Sequence, residues 1–102
     1  MKAVQFEKFG SAAETLKQVN LSIPEIKPDE VLVRLYTSGI NPSDTKKRGG
    51  AFPNLLDFGP IIPHSDGAGV IEDVGTDVEK QRIGERVFVY QAQHNRRQGT
   101  AA

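Results

Sequence analysis

The chain has 102 residues, 37% of them hydrophobic and 25% charged, which is typical of a single globular domain with a modest core. Thirteen basic and thirteen acidic side chains cancel, so no net charge attracts nucleic acid or an anionic membrane surface. The chain has no cysteine, which excludes disulfides, thiolate catalysis and cysteine zinc ligands within these residues.

Five segments show the period-of-two alternation or the β-branched composition that is typical of strands. They are Met1–Glu7, Gln18–Ile23, Glu30–Ser38, Ala68–Val74 and Arg86–Tyr90. In the third segment, Val31, Val33 and Leu35 alternate with Arg34 and Tyr36, which predicts one apolar and one polar face. We therefore predict a mainly β (α+β) fold in which the apolar strand residues form the core.

One short helix is predicted between the third and fourth strands by the residues at its two ends. Asn41 is a good N-cap, and Pro42 takes the first helical position, where its missing N–H costs nothing. Asp44 suits the positive end of the helix dipole, and the basic residues of the last turn suit the negative end. Gly49-Gly50 supplies the left-handed stop.

The last residues show no strand pattern. Gln91–Ala102 is polar and ends abruptly, so we expect it to leave sheet edges unpaired and the chain to be cut short. The N-terminus has no apolar signal region, and no stretch approaches the length of a membrane span. These features predict a cytoplasmic protein.

Three segments in chain order together resemble one known family. They are Gly39-Ile-Asn-Pro-Ser-Asp-Thr-Lys-Lys-Arg48, Ile62-Pro-His-Ser-Asp-Gly-Ala-Gly-Val-Ile-Glu-Asp-Val-Gly75 and Gly84-Glu-Arg-Val-Phe88. The chain resembles the medium-chain dehydrogenase/reductase superfamily and, within it, the zinc-free quinone oxidoreductases of the zeta-crystallin type. The resemblance implies that residues 1–102 form the N-terminal, substrate-cleft domain, a GroES-like, partly open β-barrel that is incomplete and truncated before the Rossmann domain.

For the full-length enzyme, the resemblance implies NADPH-dependent hydride transfer to a quinone or enone without zinc. The missing domain would bind most of the NADP(H), so the 102 residues alone are expected to be inactive. The expected partner is a small carbonyl or quinone substrate, and a homodimer would form through the missing domain. A zinc-free enoyl or alkenal reductase and a non-catalytic, free-standing GroES-like module are the alternatives.

The sequence argues against a zinc site and against a dinucleotide-binding glycine loop within these residues. The zinc-dependent members have a cysteine at the position of Asn41 and a histidine at that of Ser65, and neutral oxygen donors suit zinc poorly. His64 would point to the opposite face if extended, and His94 lies alone in the polar tail. Gly67-Ala68-Gly69 lacks the third glycine of a dinucleotide fingerprint and enters a strand, which predicts close backbone packing instead.

Without a metal, hydrogen-bond donors must stabilise the negative charge that develops on the substrate oxygen. The resemblance places Asn41 at the active site, and an N-cap that uses its oxygen leaves the amide hydrogens free. Ser43 lies where the alcohol dehydrogenases have a proton-relay hydroxyl. Pro42, Asp44 and Thr45 are expected with Asn41 on the nicotinamide side, and Asp44 is also expected to stabilise the helix start.

Six further side chains are predicted to line the substrate cleft: Lys46, Arg48, Phe52, Phe58, Ser65 and Asp66. Many quinone oxidoreductases have a tyrosine at the position of Lys46, so a carbonyl or carboxylate substrate fits as well as an aromatic quinone. Phe52 and Phe58 would form an apolar wall. Ser65 and Asp66 would support the floor through hydrogen bonds. The alternatives are a solvated Lys46 and an Arg48 that only complements the helix end.

Overall fold

The computed structural model describes residues 1–102 and contains five strands, the number that the alternation predicts. Their bounds are Lys2–Gln5 (β1), Lys17–Asn20 (β2), Val31–Gly39 (β3), Asp66–Val74 (β4) and Arg86–Val89 (β5). β1 and β2 form an antiparallel pair, and β3, β4 and β5 form a separate antiparallel sheet with β4 in the centre. The predicted mainly β (α+β) fold class is confirmed.

The β3–β4 pair is the longest in the fold and sets the position of the candidate site. Its register runs from Val31 opposite Val74 to Gly39 opposite Asp66, with two irregularities, one of them between Leu35 and Thr37. Such bulges bend a strand and increase its twist. The pairing ends at Gly39, so the chain that follows β3 begins beside the first residue of β4.

The core is small, and its side chains come from β1 and the residue that follows it, from the segment before β4, and from β4 itself. Its buried apolar side chains are Ala3, Phe6, Ile61, Ile62 and Ile71. Phe6 and Ile61 exchange two backbone hydrogen bonds of 3.0 Å, so this pairing continues β1 beyond its regular end. A core of this size fits the marginal stability expected of a domain this short.

Several apolar strand residues are not in the core, and there the prediction is wrong. Phe88 is 79% exposed, because it lies on a face of the larger sheet that no other layer of residues 1–102 covers. Tyr36, which the alternation places on the polar face of β3, is 70% exposed, as that pattern predicts. Ile23 is also exposed, since β2 ends at Asn20, which pairs with Lys2 at the very start of β1. In β1 itself, Ala3 is buried and Val4 is only half-buried.

The predicted helix is confirmed as Pro42–Arg48 (α2). Gly50 has φ +96°, and Gly49 remains right-handed, so Gly50 is the left-handed stop. The Gly50 N–H donates to the Lys47 carbonyl at 3.3 Å, and the next N–H donates to the Lys46 carbonyl at 3.1 Å. These two bonds form a Schellman motif, which satisfies carbonyls at the end of the helix.

Two short helical turns were not predicted: an α-helix at Ala12–Thr15 (α1) and a 3₁₀ turn at Lys80–Arg82. A single turn carries too few residues for a 3.6-residue period to show in the sequence. None of the helices is long and apolar enough to cross a membrane.

The C-terminal residues form no strand, as the sequence predicts, but individual residues of this segment are integrated into the fold. Gln98 forms a parallel bridge with Ile62, and the Val4 N–H donates to the Ala101 carbonyl at 2.8 Å. Thr100 is only 2% exposed. The main chain of this segment makes the pairing, and a polar sequence does not reveal it because every residue except proline carries the same backbone donor and acceptor.

Candidate functional site

The candidate site lies where β3 ends, α2 begins and β4 starts. The register brings Gly39 opposite Asp66, and Asn41 follows Gly39 by two residues. A polar residue just after β3 therefore meets a polar residue at the head of β4. This arrangement places two of the predicted site residues, Asn41 and Asp66, in direct contact.

Asn41 and Asp66 are joined through their side chains. The Nδ2 amide of Asn41 donates to Oδ2 of Asp66 at 2.6 Å, and both residues are half-buried. A hydrogen bond to a carboxylate is shorter and stronger than one between neutral groups, so it fixes the direction of the amide plane. An amide nitrogen carries two hydrogens, and no protein group accepts the second one. The site thus presents one oriented, unused donor.

Asp44 holds the backbone of Asn41 from the other side. The Asn41 N–H donates to Oδ2 of Asp44 at 2.7 Å, and the Asp44 N–H donates to the Asn41 carbonyl at 3.0 Å. Asp44 is 5% exposed, and its Oδ1 is buried without a hydrogen-bond partner. Its carboxylate therefore stabilises the helix start and the position of Asn41, which is the structural role expected of it.

The other predicted site residues on α2 differ in whether their polar side chains are hydrogen-bonded within the protein. Ser43 and Lys46 are exposed and make no side-chain hydrogen bond within the protein. The Thr45 hydroxyl donates to the Pro42 carbonyl at 2.8 Å, so it is engaged within the helix. Pro42 itself is exposed at the first helical position. Ser43 is thus the free hydroxyl nearest in sequence to Asn41.

Arg48 links α2 to the loop that precedes α1. Its Nε donates to the Gly10 carbonyl at 3.2 Å, and the Gly10 N–H donates to the Arg48 carbonyl at 3.0 Å. This pair of bonds explains the position of Arg48 without a substrate. The predicted contact of Arg48 with a substrate stays a prediction.

The remaining predicted cleft residues make few contacts that fix their side chains. Phe52 is 53% exposed and Phe58 is 87% exposed, so neither ring is enclosed by residues 1–102. Ser65 is half-buried, and its carbonyl accepts the Ala92 N–H at 2.9 Å. The apolar wall predicted from the two phenylalanines stays a prediction.

A small cavity of about 180 Å³ lies beneath α2, between it and α1. Apolar side chains form most of its wall, and its polar members are Asp44, Thr45, Arg48 and His64. His64 was not predicted to matter and was expected to point away from the site if extended. It is not extended: its φ is +76°, a left-handed conformation that few residues other than glycine and asparagine adopt readily. No sequence pattern signals that conformation.

The residues at the family's zinc position do not fit a zinc ion. Asn41 already donates an amide hydrogen to Asp66, and Ser65 is a neutral hydroxyl. Zinc sites use imidazole, thiolate or carboxylate ligands, and no three histidine, aspartate or glutamate side chains converge in the structure. No step of the chemistry below is therefore assigned to a metal.

The glycines of Gly67-Ala68-Gly69 lie inside β4, as predicted, and not in a turn between a strand and a helix. A Cβ atom on Gly69 would overlap the carbonyl oxygen of Arg34 in β3, and one on Gly67 would lie 2.7 Å from the Thr37 carbonyl oxygen. Close approach of two strands explains both glycines. The arrangement of a strand, a glycine turn and a helix that binds the phosphates of a dinucleotide is not formed at these glycines.

Comparisons with known proteins agree with this architecture. The sequence of residues 27–101 matches the family described as the alcohol dehydrogenase GroES-like domain. The pig quinone oxidoreductase is 36% identical over 88 residues, and the tomato 2-methylene-furan-3-one reductase is 34% identical over 88 residues. Each alignment covers 86% of this chain, but only 26% and 23% of those two relatives. The chain thus spans about a quarter of the length of the curated relatives it matches.

A solved structure gives the same result for the fold. The Escherichia coli quinone oxidoreductase complexed with NADPH superposes with a TM-score of 0.78 at 28% identity. The match covers 89% of this chain and 27% of the bacterial one. The expected GroES-like fold is confirmed, and so is the resemblance to quinone oxidoreductases.

Proposed function

Because the chain belongs to the GroES-like domain family of the alcohol dehydrogenases, we propose that it forms the substrate side of the cleft in a zinc-independent, NADPH-dependent oxidoreductase of quinones or enones. The similarity to quinone oxidoreductases supports this function. The observation that carries the proposal is the Asn41 amide, which Asp66 orients and which retains one unused hydrogen.

The chemistry requires a donor at the position where charge develops. Hydride addition to a conjugated carbonyl leaves negative charge on its oxygen, and a preoriented donor stabilises that charge better than mobile water does. A nicotinamide cofactor supplies the hydride when bound. In the proposal, the second Nδ2 hydrogen of Asn41 donates to the substrate oxygen. Its direction is set beforehand by the 2.6 Å bond to Asp66.

Ser43 is proposed as the second polar group of the cleft. Its hydroxyl is exposed on the first turn of α2, has no partner in the protein and lies two residues from Asn41. A hydroxyl can donate its proton to an oxyanion and recover one from water. Pro42 and Thr45 would then contact the nicotinamide side through the exposed surface of α2, and Asp44 would act through Asn41.

One observation favours a second function in the same chemical class. Lys46 is exposed on α2 and forms no ion pair, so its ammonium group is available to a polar, non-aromatic substrate. The similarity to a 2-methylene-furan-3-one reductase points to the same kind of acceptor, an activated carbon–carbon double bond. The alternative is therefore a zinc-free enoyl or alkenal reductase.

The test is steady-state oxidation of NADPH by the full-length protein that contains this chain, with a quinone and with a 2-alkenal as separate substrates. We expect turnover with at least one of them, and we expect a strong chelator to leave the rate unchanged. Lys46→Tyr is expected to shift preference toward the quinone, because the ring supplies a stacking surface. No turnover with either substrate, or a rate abolished by the chelator, would contradict the proposal.

A further inference from the structure

Three side-chain hydrogen bonds connect the end of β3, the segment before β4 and the C-terminal residues. Nδ1 of His64 lies 2.7 Å from the Ser38 hydroxyl, which lies 2.9 Å from the Thr100 hydroxyl. The Thr100 hydroxyl donates to the backbone carbonyl of Asp66 at 2.6 Å. The series therefore ends on the residue whose carboxylate orients Asn41.

Counting the protons fixes the direction of all three bonds. A carbonyl oxygen can only accept, so the single hydroxyl proton of Thr100 lies on its bond to Asp66. The proton between the two hydroxyls must then come from Ser38. Since Ser38 has no second proton, the bond to the ring must use a proton on Nδ1 of His64. Only this arrangement places one proton in each of the three bonds, and it leaves Nε2 of the neutral ring without a proton.

We propose that His64, held as the Nδ1–H tautomer, is a positioning residue that acts through Ser38 and Thr100 on Asp66 and, through Asp66, on the amide of Asn41. The series runs from the imidazole to the Asp66 carbonyl, and the carboxylate of the same residue accepts from Asn41. The two bonds of Thr100 are partly buried, and this shielding from water strengthens them, whereas the Ser38–His64 bond lies at the surface.

The backbone at His64 supports this role. A non-glycine residue at φ +76° is strained, so other contacts must stabilise the conformation. The Thr100 N–H donates to the His64 carbonyl at 2.9 Å, and the Ala101 N–H donates to the Pro63 carbonyl at 3.2 Å. The C-terminal segment thus contacts His64 through the backbone as well as through the side-chain series.

The first test is spectroscopic and needs neither substrate nor cofactor. Long-range ¹H–¹⁵N correlation spectra of the full-length protein that contains this chain, recorded in alkaline buffer with labelled histidine, distinguish the two ring nitrogens. We expect Nδ1 of His64 to carry the proton and Nε2 to resonate as the unprotonated nitrogen. Ser38→Ala is the control, because it removes the acceptor of the Nδ1–H bond and should let the Nε2–H tautomer of His64 appear. An Nε2–H tautomer in the wild type, or the same tautomer mixture in the wild type and in Ser38→Ala, would overturn the proposal.

The second test separates the effect of the His64 side-chain donor from the effect of the backbone conformation at that residue. Asparagine adopts positive φ readily and offers an amide N–H in place of Nδ1–H, whereas glycine adopts the same φ without any side-chain donor. We expect His64→Gly to shift the Asn41 side-chain amide resonances and His64→Asn to return them toward the wild-type positions. Ser38→Ala, which interrupts the series without touching positive φ, should shift the same resonances. Unchanged Asn41 resonances in both His64→Gly and Ser38→Ala would overturn the proposal.

The kinetic part rests on the proposed function. In the full-length enzyme we expect His64→Gly to lower kcat about tenfold, with little change in KM, and His64→Asn to recover most of that loss. Absence of turnover in the wild-type enzyme would contradict the proposed function alone, because the tautomer is measured without catalysis. A wild-type kcat in His64→Gly would contradict the positioning role alone.

Discussion

Asn41 and Asp66 are 25 residues apart in the chain, yet the amide of the first donates to the carboxylate of the second at 2.6 Å. The contact follows from the sheet register, which places Gly39 opposite Asp66 where β3 ends. It joins the start of α2 to the start of β4, so it belongs both to the fold and to the proposed chemistry. Its loss should therefore affect stability as well as activity.

Removal of the carboxylate should lower the stability of the domain. We expect Asp66→Ala to reduce the free energy of unfolding by about 1.5–3 kcal/mol, because the half-buried Asn41 amide loses a charged acceptor. Asp57→Ala is the matched control, since Asp57 is exposed and its carboxylate makes no hydrogen bond. Urea denaturation of both variants measures the difference. Equal stabilities for the two variants would show that the contact contributes nothing.

The glycines of β4 should tolerate no side chain. A Cβ on Gly69 would overlap the Arg34 carbonyl in β3, so Gly69→Ala should cost about 3 kcal/mol or more, or prevent folding. Gly84 has φ +96°, but a Cβ there would meet no atom within 4 Å, so Gly84→Ala should cost only the backbone strain of about 1–2 kcal/mol. Thermal unfolding monitored by circular dichroism compares the two. A milder effect at Gly69 than at Gly84 would contradict the backbone-packing explanation.

Stability should fall in acid through Glu30. The Lys27 N–H, which donates to the Glu30 carboxylate at 2.8 Å, and the Arg96 guanidinium hold the pKa of that carboxyl below its ordinary value of 4.5. A lowered native pKa contributes stability above about pH 4.5, and this contribution is lost as pH falls through the native pKa. The melting temperature of the wild type should therefore be higher than that of Glu30→Gln at neutral pH. This difference in melting temperature should disappear in acid. Glu79→Gln is the control substitution, because Glu79 is exposed and its side chain makes no hydrogen bond. A gap for Glu30→Gln that persists unchanged in acid would rule out this source of stability.

The 102-residue chain alone should not bind NADPH tightly. Its near-match to a phosphate-binding loop lies within β4, where the glycines pack against β3 and are followed by more strand residues and not by an α-helix. We expect isothermal titration calorimetry to detect no micromolar affinity for NADPH. A dissociation constant in the micromolar range would show that these residues hold more of the cofactor than the structure indicates.

The sequence predicted those parts of the fold that local chemistry determines. The ends of α2 were predictable because Asn41, Pro42 and Gly50 each have a distinct backbone or capping property. The close packing of Gly67 and Gly69 was predictable from the same reasoning, since two glycines within a strand pattern indicate a near neighbour.

The remaining features depend on contacts between distant segments, which no local pattern reveals. Thr100 is buried because its hydroxyl and backbone meet Ser38, His64 and Asp66, which lie far from it in the chain. Phe88 is exposed because nothing in residues 1–102 covers its face of the sheet. The Asn41–Asp66 pair was predicted residue by residue, but the bond between them required the register of β3 and β4.

The central claim, that the Asn41 amide stabilises the developing charge on the substrate, is tested most directly by the kcat of Asn41→Ala in the full-length enzyme. Asn54→Ala is the control, because Asn54 is exposed and its side chain makes no hydrogen bond. We predict a kcat about a hundredfold lower for Asn41→Ala and unchanged for Asn54→Ala, the size of effect seen when one oxyanion donor is removed. A kcat for Asn41→Ala equal to that of Asn54→Ala, in a variant that remains folded, would contradict the account.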